Sequence, residues 1–181
     1  MSTSASNSTE AEILCRQDGP FGVITLNRPK ALNALTTDMV ETLYDTLKSL
    51  DADTSVAAVI IKGAGGKAFC AGGDVKAVVE MGKAGKIEEA MRFFRSEYKL
   101  NYKIATLSKP YVAVLDGITM GGGAGVSVHG TFRIATENTL FAMPECGIGL
   151  IPDIGGSYFL PRLPGKLGWY LGLTGARLKV G

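Results

Sequence analysis

The sequence FCAGGD at positions 69–74 decides the fold of this 181-residue chain, together with ITMGGG at positions 118–123. Each glycine run follows an apolar segment and precedes residues that suit a helix, so each marks a turn from a strand into a helix. Glycine at such a turn lets another backbone or a ligand approach the main chain closely. The two stretches therefore predict an α/β fold with parallel strands and flanking helices.

The residues before these turns extend the pattern. Glu12–Gln17 and Phe21–Leu26 read as a β-hairpin around the turn at 18–20. A helix is predicted after residue 36, with Thr36 or Asp38 as its cap. Val56–Ile61 is an apolar, mostly β-branched run, typical of a strand buried on both faces.

Further elements follow along the chain. A helix is predicted to start near Asp74, and another to span 87–107, where the apolar face consists of Met91, Phe94, Tyr98, Tyr102 and Ala105. The later apolar runs predict a strand at 111–115, short segments at 132–135 and 140–142, and terminal helices at 158–160 and 167–173.

Composition narrows the protein class. Hydrophobic residues make up 46% and charged residues 20% of the chain, as in a globular domain. The net charge of +2 gives no reason to expect a nucleic-acid or membrane partner. Three cysteines without close spacing and one histidine favour neither a disulfide framework nor a metal site, and they suit an intracellular protein.

Length and the distribution of residue types predict one domain. We expect 1–10, which is rich in serine and threonine, to be a disordered leader, and 11–181 to be a single folded core. Residues 1–9 match neither a secretory signal nor an arginine-rich transit peptide, so no targeting segment is predicted.

The two glycine turns also suggest a binding site. Backbone N–H groups at two neighbouring turns between strand and helix would point toward one place, which is how an oxyanion hole is built. A side chain at these positions would keep a bulky carbonyl group away from the amides. Helix packing against a sheet would explain one such cluster on its own, but two clusters with carboxylates downstream favour a site.

Two carboxylates lie downstream in apolar segments rich in proline and glycine. Glu145 is in FAMPE at 141–145 and Asp153 is in IPDIGG at 151–156. Apolar surroundings disfavour the charged form of a carboxyl group, which suits a general acid or base. Asp153 could equally cap the helix that follows it.

Three other features compete with this interpretation. His129 could be a general base, but no motif supplies it with a nucleophile. Cys70 could be a nucleophile, although a small apolar cysteine is commonly just packed. GAGGKA at 63–68 fits a dinucleotide fingerprint but does not open directly into a long helix. We expect all three to be structural.

Several motifs together resemble the crotonase superfamily, the enoyl-CoA hydratases and isomerases. They are FCAGGD, ITMGGG, FAMPE, GLIP at 149–152 and the early LNRPKALNAL at 26–35. Segments at 93–98, 130–133 and 152–163 are most similar to the members that hydrolyse short hydroxyacyl-CoA thioesters. The resemblance runs from about residue 13 to residue 181 and implies a crotonase-like ββα spiral core that binds acyl-CoA.

The resemblance implies roles for particular residues. The oxyanion-hole amides would be those of Gly73 and Gly122. Hydratases of the family use two glutamates; the second falls at Glu145, whereas the first falls at Gly125, which has no side chain.

The remaining site residues also come from the resemblance. Asp153 stands where hydratases commonly have glycine, which argues for thioester hydrolysis in place of hydration. Glu145 and Asp153 would be catalytic, with Glu145 as nucleophile or general base. Glu97, Gly122, Glu145 and Asp153 would contact the substrate, although Glu97 on a solvated helix face is the alternative.

Other properties are implied in the same way. Coenzyme A would arrive within the substrate, so no metal or separate cofactor is expected. Helices that close the site and build contacts in a homo-oligomer would lie beyond residue 181, so this chain would be the N-terminal part of an enzyme. The resemblance implies a mitochondrial matrix location, with peroxisome or cytoplasm as alternatives. A hydratase or isomerase, or an acyl-CoA-binding fragment without turnover, are the alternative functions.

Overall fold

A computed structural model describes residues 11–180. The expected leader at 1–10 lies outside the described residues. Within them the chain repeats one unit four times: two strands in succession, then one or more helices. This is the ββα spiral expected from the resemblance.

One sheet has five strands in the order β1-β2-β3-β5-β7. β1 and β2 form the predicted antiparallel hairpin, and the other neighbours pair in parallel. The five strands are β1 (Ile13–Asp18), β2 (Phe21–Leu26), β3 (Ala58–Gly63), β5 (Tyr111–Leu115) and β7 (Phe132–Ala135).

β3 departs from its prediction in burial and in position. Val59 and Ile61 are buried whereas Ala58 and Ile60 are only partly buried, so the strand is fully covered on one face. It also begins two residues later than predicted, because Val56 belongs to the preceding loop, where its amide bonds to the Asp53 carbonyl.

The second sheet follows the order β4-β6-β8-β9. β4, β6 and β8 are parallel, and each directly follows a strand of the first sheet along the chain. A strand therefore comes after the GAGGKA turn, and this turn does not open a dinucleotide-binding helix. The four strands are β4 (Ala68–Cys70), β6 (Ile118–Met120), β8 (Leu140–Ala142) and β9 (Leu178–Lys179).

Six α-helices complete the described part of the chain. Thr36 caps the first, since its hydroxyl oxygen accepts from the Met39 amide at 3.1 Å, and Asp74 caps the second. The helices are α1 (Thr37–Ala52), α2 (Val75–Lys83), α3 (Ile87–Ala105), α4 (Gly122–Gly125), α5 (Gly156–Phe159) and α6 (Leu167–Thr174).

The main core packs α1 and α3 with the first sheet. Leu43 and Leu47 of α1, Ile61 of β3 and Leu100 of α3 are fully buried in it. Each such side chain contributes about 1.5–3 kcal/mol by leaving water. A smaller cluster lies nearer the C-terminal helices and contains Ala124, Met143, Ile154, Leu160 and Leu171.

The predicted apolar face of α3 is wrong. Met91, Tyr98, Tyr102 and Ala105 are exposed, and Phe94 is only partly buried. The buried face is instead formed by Ala90, Phe93, Glu97, Leu100, Asn101 and Ile104. Two polar residues lie on that face, so hydrophobic periodicity selected the wrong one.

No helix among residues 11–180 is both long enough and apolar enough to cross a membrane.

A glycine-to-alanine substitution tests the close packing of α4. A methyl group on Gly123 would overlap the carbonyl group of Cys70 in β4. We expect Gly123→Ala to lower the free energy of unfolding by about 1–3 kcal/mol or more, because backbone must move. Urea denaturation measures this change.

Gly82→Ala is the matched control, since a methyl group there meets no atom within 4 Å and alanine favours a helix. Its stability should be unchanged or slightly higher. Equal urea midpoints for Gly123→Ala and the parent protein would contradict the packing described.

Candidate active site

The five residues expected to form the site line one pocket. Gly73, Gly122, Glu97, Glu145 and Asp153 come from four separate segments of the chain and meet there. The rest of the lining is glycine, alanine, proline and apolar side chains, with no lysine, arginine or histidine among the described lining residues.

Gly73 is held by the preceding loop of residues 27–36. Leu35 forms a parallel bridge to Gly73, in which its amide bonds to the Gly72 carbonyl and its carbonyl to the Asp74 amide, both at 2.8 Å. The N–H group of Gly73 takes no part in that bridge. Arg28 anchors the arrangement by donating to the Asp74 carboxylate at 2.8 Å and to the Ala34 carbonyl at 3.2 Å.

Gly122 brings a second amide next to the first. As the first residue of α4, it has an N–H group without a partner inside the helix. A Cβ atom on Gly122 would lie 3.0 Å from the Gly73 nitrogen and 2.5 Å from Glu97 Oε1. The absence of a side chain is therefore what allows the two amides and Glu97 to share one space.

Glu145 starts a short 3-10 helix after Pro144. Only 6% of Glu145 is exposed, and its Oε2 has no hydrogen-bond partner in the described part of the protein. A Cβ on Gly121 would lie 3.0 Å from Glu145 Oε1, so this carboxyl group lies against the glycine turn. One oxygen is thus left available to a ligand.

Glu97 lies on the buried face of α3. It is 2% exposed, and its Oε1 finds no partner within residues 11–180. The alternative that Glu97 belongs to a solvated helix face is wrong. A buried carboxyl oxygen without a partner is costly unless water or a ligand binds it.

Asp153 does not cap the next helix. The N-cap residue of α5 is Gly155, and no side chain bonds to the first amides of that helix. Asp153 Oδ2 instead accepts a hydrogen bond from the Tyr98 hydroxyl at 2.9 Å.

All three carboxyl groups have raised pKa values, mainly because they are buried, and neighbouring carboxylates add to the rise for the two glutamates. Burial, followed by the charges of Asp153 and Glu145, raises the pKa of Glu97 to about 8. Burial, with a smaller contribution from Asp153, raises the pKa of Glu145 to about 7. Burial also raises the pKa of Asp153, partly offset by the Tyr98 hydrogen bond. The pocket therefore holds protonated and ionised carboxyl groups side by side near neutral pH.

Sequence reasoning missed two residues near the pocket. Tyr98 was assigned to an apolar face, yet it binds Asp153. Asn101 is 6% exposed, and neither polar atom of its side chain has a partner in the described chain. The only signal was the spacing of Asn101 from Glu97, since a residue four positions later lies on the same face of a helix.

The two competing candidates lie elsewhere. Cys70 is fully buried at the end of β4, and burial raises the pKa of its thiol to about 12, so it is not an activated nucleophile. His129 binds the Ile154 carbonyl through Nε2 at 2.7 Å. Within residues 11–180, no group of three or more histidine, cysteine, aspartate or glutamate residues could hold a metal ion.

The sequence of the chain is similar to those of known proteins. Residues 21–181 match the family described as enoyl-CoA hydratase/isomerase. The chain is 63% identical over 174 residues to the mitochondrial 3-hydroxyisobutyryl-CoA hydrolase of Danio rerio, covering 96% of this chain and 45% of that protein. The human protein of the same name is 60% identical over 168 residues, which is 93% of this chain and 43% of that protein.

Solved structures agree on the fold. A carnitinyl-CoA dehydratase from Mycobacterium thermoresistibile has a TM-score of 0.90 at 50% identity, over 94% of this chain and 50% of that one. An enoyl-CoA hydratase from Rhodobacter sphaeroides 2.4.1 has a TM-score of 0.90 at 45% identity, over 93% and 50%. The chain spans less than half the length of the curated relatives that it matches.

The raised pKa of Glu97 predicts a pH dependence of stability. Between about pH 4.5 and pH 8 the folded protein binds a proton on Glu97 that the unfolded chain has released. The free energy of unfolding should therefore fall as pH rises through this window, by at most about 1.4 kcal/mol per pH unit for one proton, and level off above it. Glu97→Gln should lose this contribution. Urea denaturation at pH 5, 6, 7 and 8 measures both slopes.

Glu41→Gln is the control. The Glu41 carboxylate pairs with Arg92, which holds its pKa below the usual value, so it stays charged throughout the window. This variant should keep the parent slope. Parallel curves for the parent protein and Glu97→Gln would show that Glu97 does not hold the extra proton.

Proposed function

Because the chain belongs to the enoyl-CoA hydratase/isomerase family, we propose that it carries the acyl-CoA site of a thioester hydrolase. The proposed substrate is a short hydroxyacyl-CoA, and the names of the curated relatives support 3-hydroxyisobutyryl-CoA. Hydrolysis yields 3-hydroxyisobutyrate and free CoA, a step of valine degradation.

One observation carries the proposal: the pocket combines two adjacent backbone amides with three carboxyl groups and no cationic side chain among its described lining residues. The amides suit the negative charge that develops on a thioester oxygen when its carbonyl carbon is attacked. A carboxyl group with a pKa near 7 suits proton transfer at neutral pH.

In the proposed reaction the N–H groups of Gly73 and Gly122 bind the thioester oxygen. Glu145 either attacks the carbonyl carbon or removes a proton from a water molecule that attacks it. Either route breaks the carbon–sulfur bond, releases CoA as a thiol and consumes one water. After a single turnover in ¹⁸O-water, label in the Glu145 carboxyl group would identify the nucleophilic route, because it requires an anhydride on Glu145 that water opens at the glutamate carbonyl carbon.

The other two carboxyl groups have supporting roles. Asp153, held by Tyr98, orients the substrate hydroxyl or the attacking water. Glu97 is mostly protonated at neutral pH, so it can donate a hydrogen bond to the substrate near the Gly122 amide. These assignments follow those expected from the resemblance.

Hydration is the weaker alternative, although similar structures carry hydratase and dehydratase titles. Gly125 is buried and supplies no second acid. A Cβ there would already lie 2.9 Å from Asn101 Nδ2 and 3.0 Å from Ile154 Cβ. The space that a second glutamate would need is filled.

Acyl-CoA binding without turnover is the second candidate function for this chain, which spans less than half of the relatives' length. CoA arrives within the substrate, so the proposed reaction uses no separate cofactor.

We assign the whole protein to the mitochondrial matrix, because the curated relatives are named mitochondrial.

Replacement of Glu145 tests the proposal. Glu145→Gln should reduce thiol release from 3-hydroxyisobutyryl-CoA by about 10²- to 10⁴-fold, because a general base or a nucleophile is removed while the shape is kept. Released CoA is followed with a thiol reagent, and binding of the substrate is followed by calorimetry. Glu137→Gln, at an exposed position away from the pocket, is the control and should behave as the parent protein.

The outcomes separate the candidate functions. Rapid hydration of an enoyl-CoA without thiol release would identify a hydratase. Binding of the substrate without thiol release would identify an acyl-CoA-binding unit. Unchanged thiol release by Glu145→Gln would show that another group performs the attack.

A further inference from the structure

The residue after Asp153 has an unusual backbone conformation. Ile154 has a φ of +46°, in the left-handed region that a β-branched residue rarely adopts. Its side chain is 1% exposed and packs in the smaller core cluster. Such a conformation persists only where surrounding contacts impose it, and it commonly occurs beside functional groups.

His129 contacts the main chain of Ile154. Its Nε2 lies 2.7 Å from the Ile154 carbonyl oxygen. A carbonyl oxygen can only accept, so Nε2 carries the proton and donates it. The hydrogen bond holds the peptide group that follows Ile154 in one orientation.

The neighbouring residues make room for the histidine ring. Gly155 has a φ of +84°, and a Cβ atom there would lie 2.6 Å from His129 Cε1. The ring of Phe159 meets the histidine ring edge to face, with centroids 6.0 Å apart. The imidazole therefore packs against both Gly155 and the Phe159 ring.

Ile154 is held from its other side by α4. A Cβ on Gly125 would lie 3.0 Å from Ile154 Cβ, so the isoleucine rests directly on this glycine. Asp153 is therefore attached to a residue with little freedom to move. Only one of its carboxylate oxygens, Oδ2, bonds to another side chain in the described protein, and that partner is Tyr98.

We propose that His129 is a positioning residue for Asp153: by binding the Ile154 carbonyl it keeps Ile154 in the left-handed conformation and aims the Asp153 carboxylate at Tyr98 and the pocket. His129 does not touch the substrate. The proposal rests on the proposed function only in that Asp153 orients the substrate or the water.

The test compares variants with and without a donor at position 129. His129→Phe keeps a ring but cannot donate, so Asp153 should lose its hydrogen bond from Tyr98 and its pKa should rise by about 0.4–1 unit. His129→Gln can still donate through its amide group and should restore most of the parent value. Carboxyl ¹³C shifts of labelled aspartate, followed against pH, measure the pKa of Asp153 without any activity.

Kinetics give a second measurement. In His129→Phe the kcat for thiol release should fall about 10- to 100-fold with a smaller change in KM, because the group is misplaced and binding contacts remain. Phe159→Leu is the matched control: it removes the ring contact and keeps the hydrogen bond. It should lower stability but leave both the pKa of Asp153 and kcat at parent values.

The result that overturns the proposal is a parent-like Asp153 titration in folded His129→Phe, whatever its stability. If the phenylalanine variant does not fold, His129→Met, which also lacks a donor, is judged by the same titration. Absence of thiol release in the parent protein would count against the proposed function alone, because the titration still decides the role of His129.

Discussion

Direct contact between two stretches of backbone determines most of this site. Gly122 and Gly123 of α4 lie against residues 70–73, with no side chain between these two segments. The same closeness admits Phe93 against Gly73 and Glu97 against Gly122, so α3 can cover both turns. A methyl group on Gly73, Gly122 or Gly123 would overlap the atoms that this glycine contacts. The two turns, the helix above them and the pocket therefore form a single packing unit.

Electrostatics add a second constraint. Three carboxyl groups share a pocket that has no cation among its described lining residues, so they cannot all be ionised at low cost. The two glutamates differ in pKa, so Glu97 keeps its proton to a higher pH than Glu145 does. Asp153 accepts a hydrogen bond from the Tyr98 side chain, which favours its charged form. An arrangement of this kind reduces stability at neutral pH, and it keeps one acidic and one basic group available in the same small space.

The sequence was sufficient to predict the structure where a local motif determines the backbone conformation. The glycine runs, the Thr36 cap and the hairpin follow from local rules, and the structure confirms them. The face of α3 was not predictable in this way, because Glu97 and Asn101 are buried for reasons that periodicity cannot detect. The hydrogen bond between Tyr98 and Asp153 could not be predicted either, because the two residues are 55 positions apart in the sequence and no motif links them. Residue roles came from the resemblance, and they remain proposals.

The burial of Cys70 has a practical consequence. Thiol reagents attack the thiolate, and a thiol with a pKa of about 12 at the floor of the glycine turn is almost never ionised or accessible. Cys15 and Cys146 are exposed, so they can be blocked first. The slow alkylation of Cys70 that follows would then report how often β4 separates from α4, much as amide hydrogen exchange reports local opening. The alkylation rate of Cys70 is thus a built-in probe of local opening beneath the pocket.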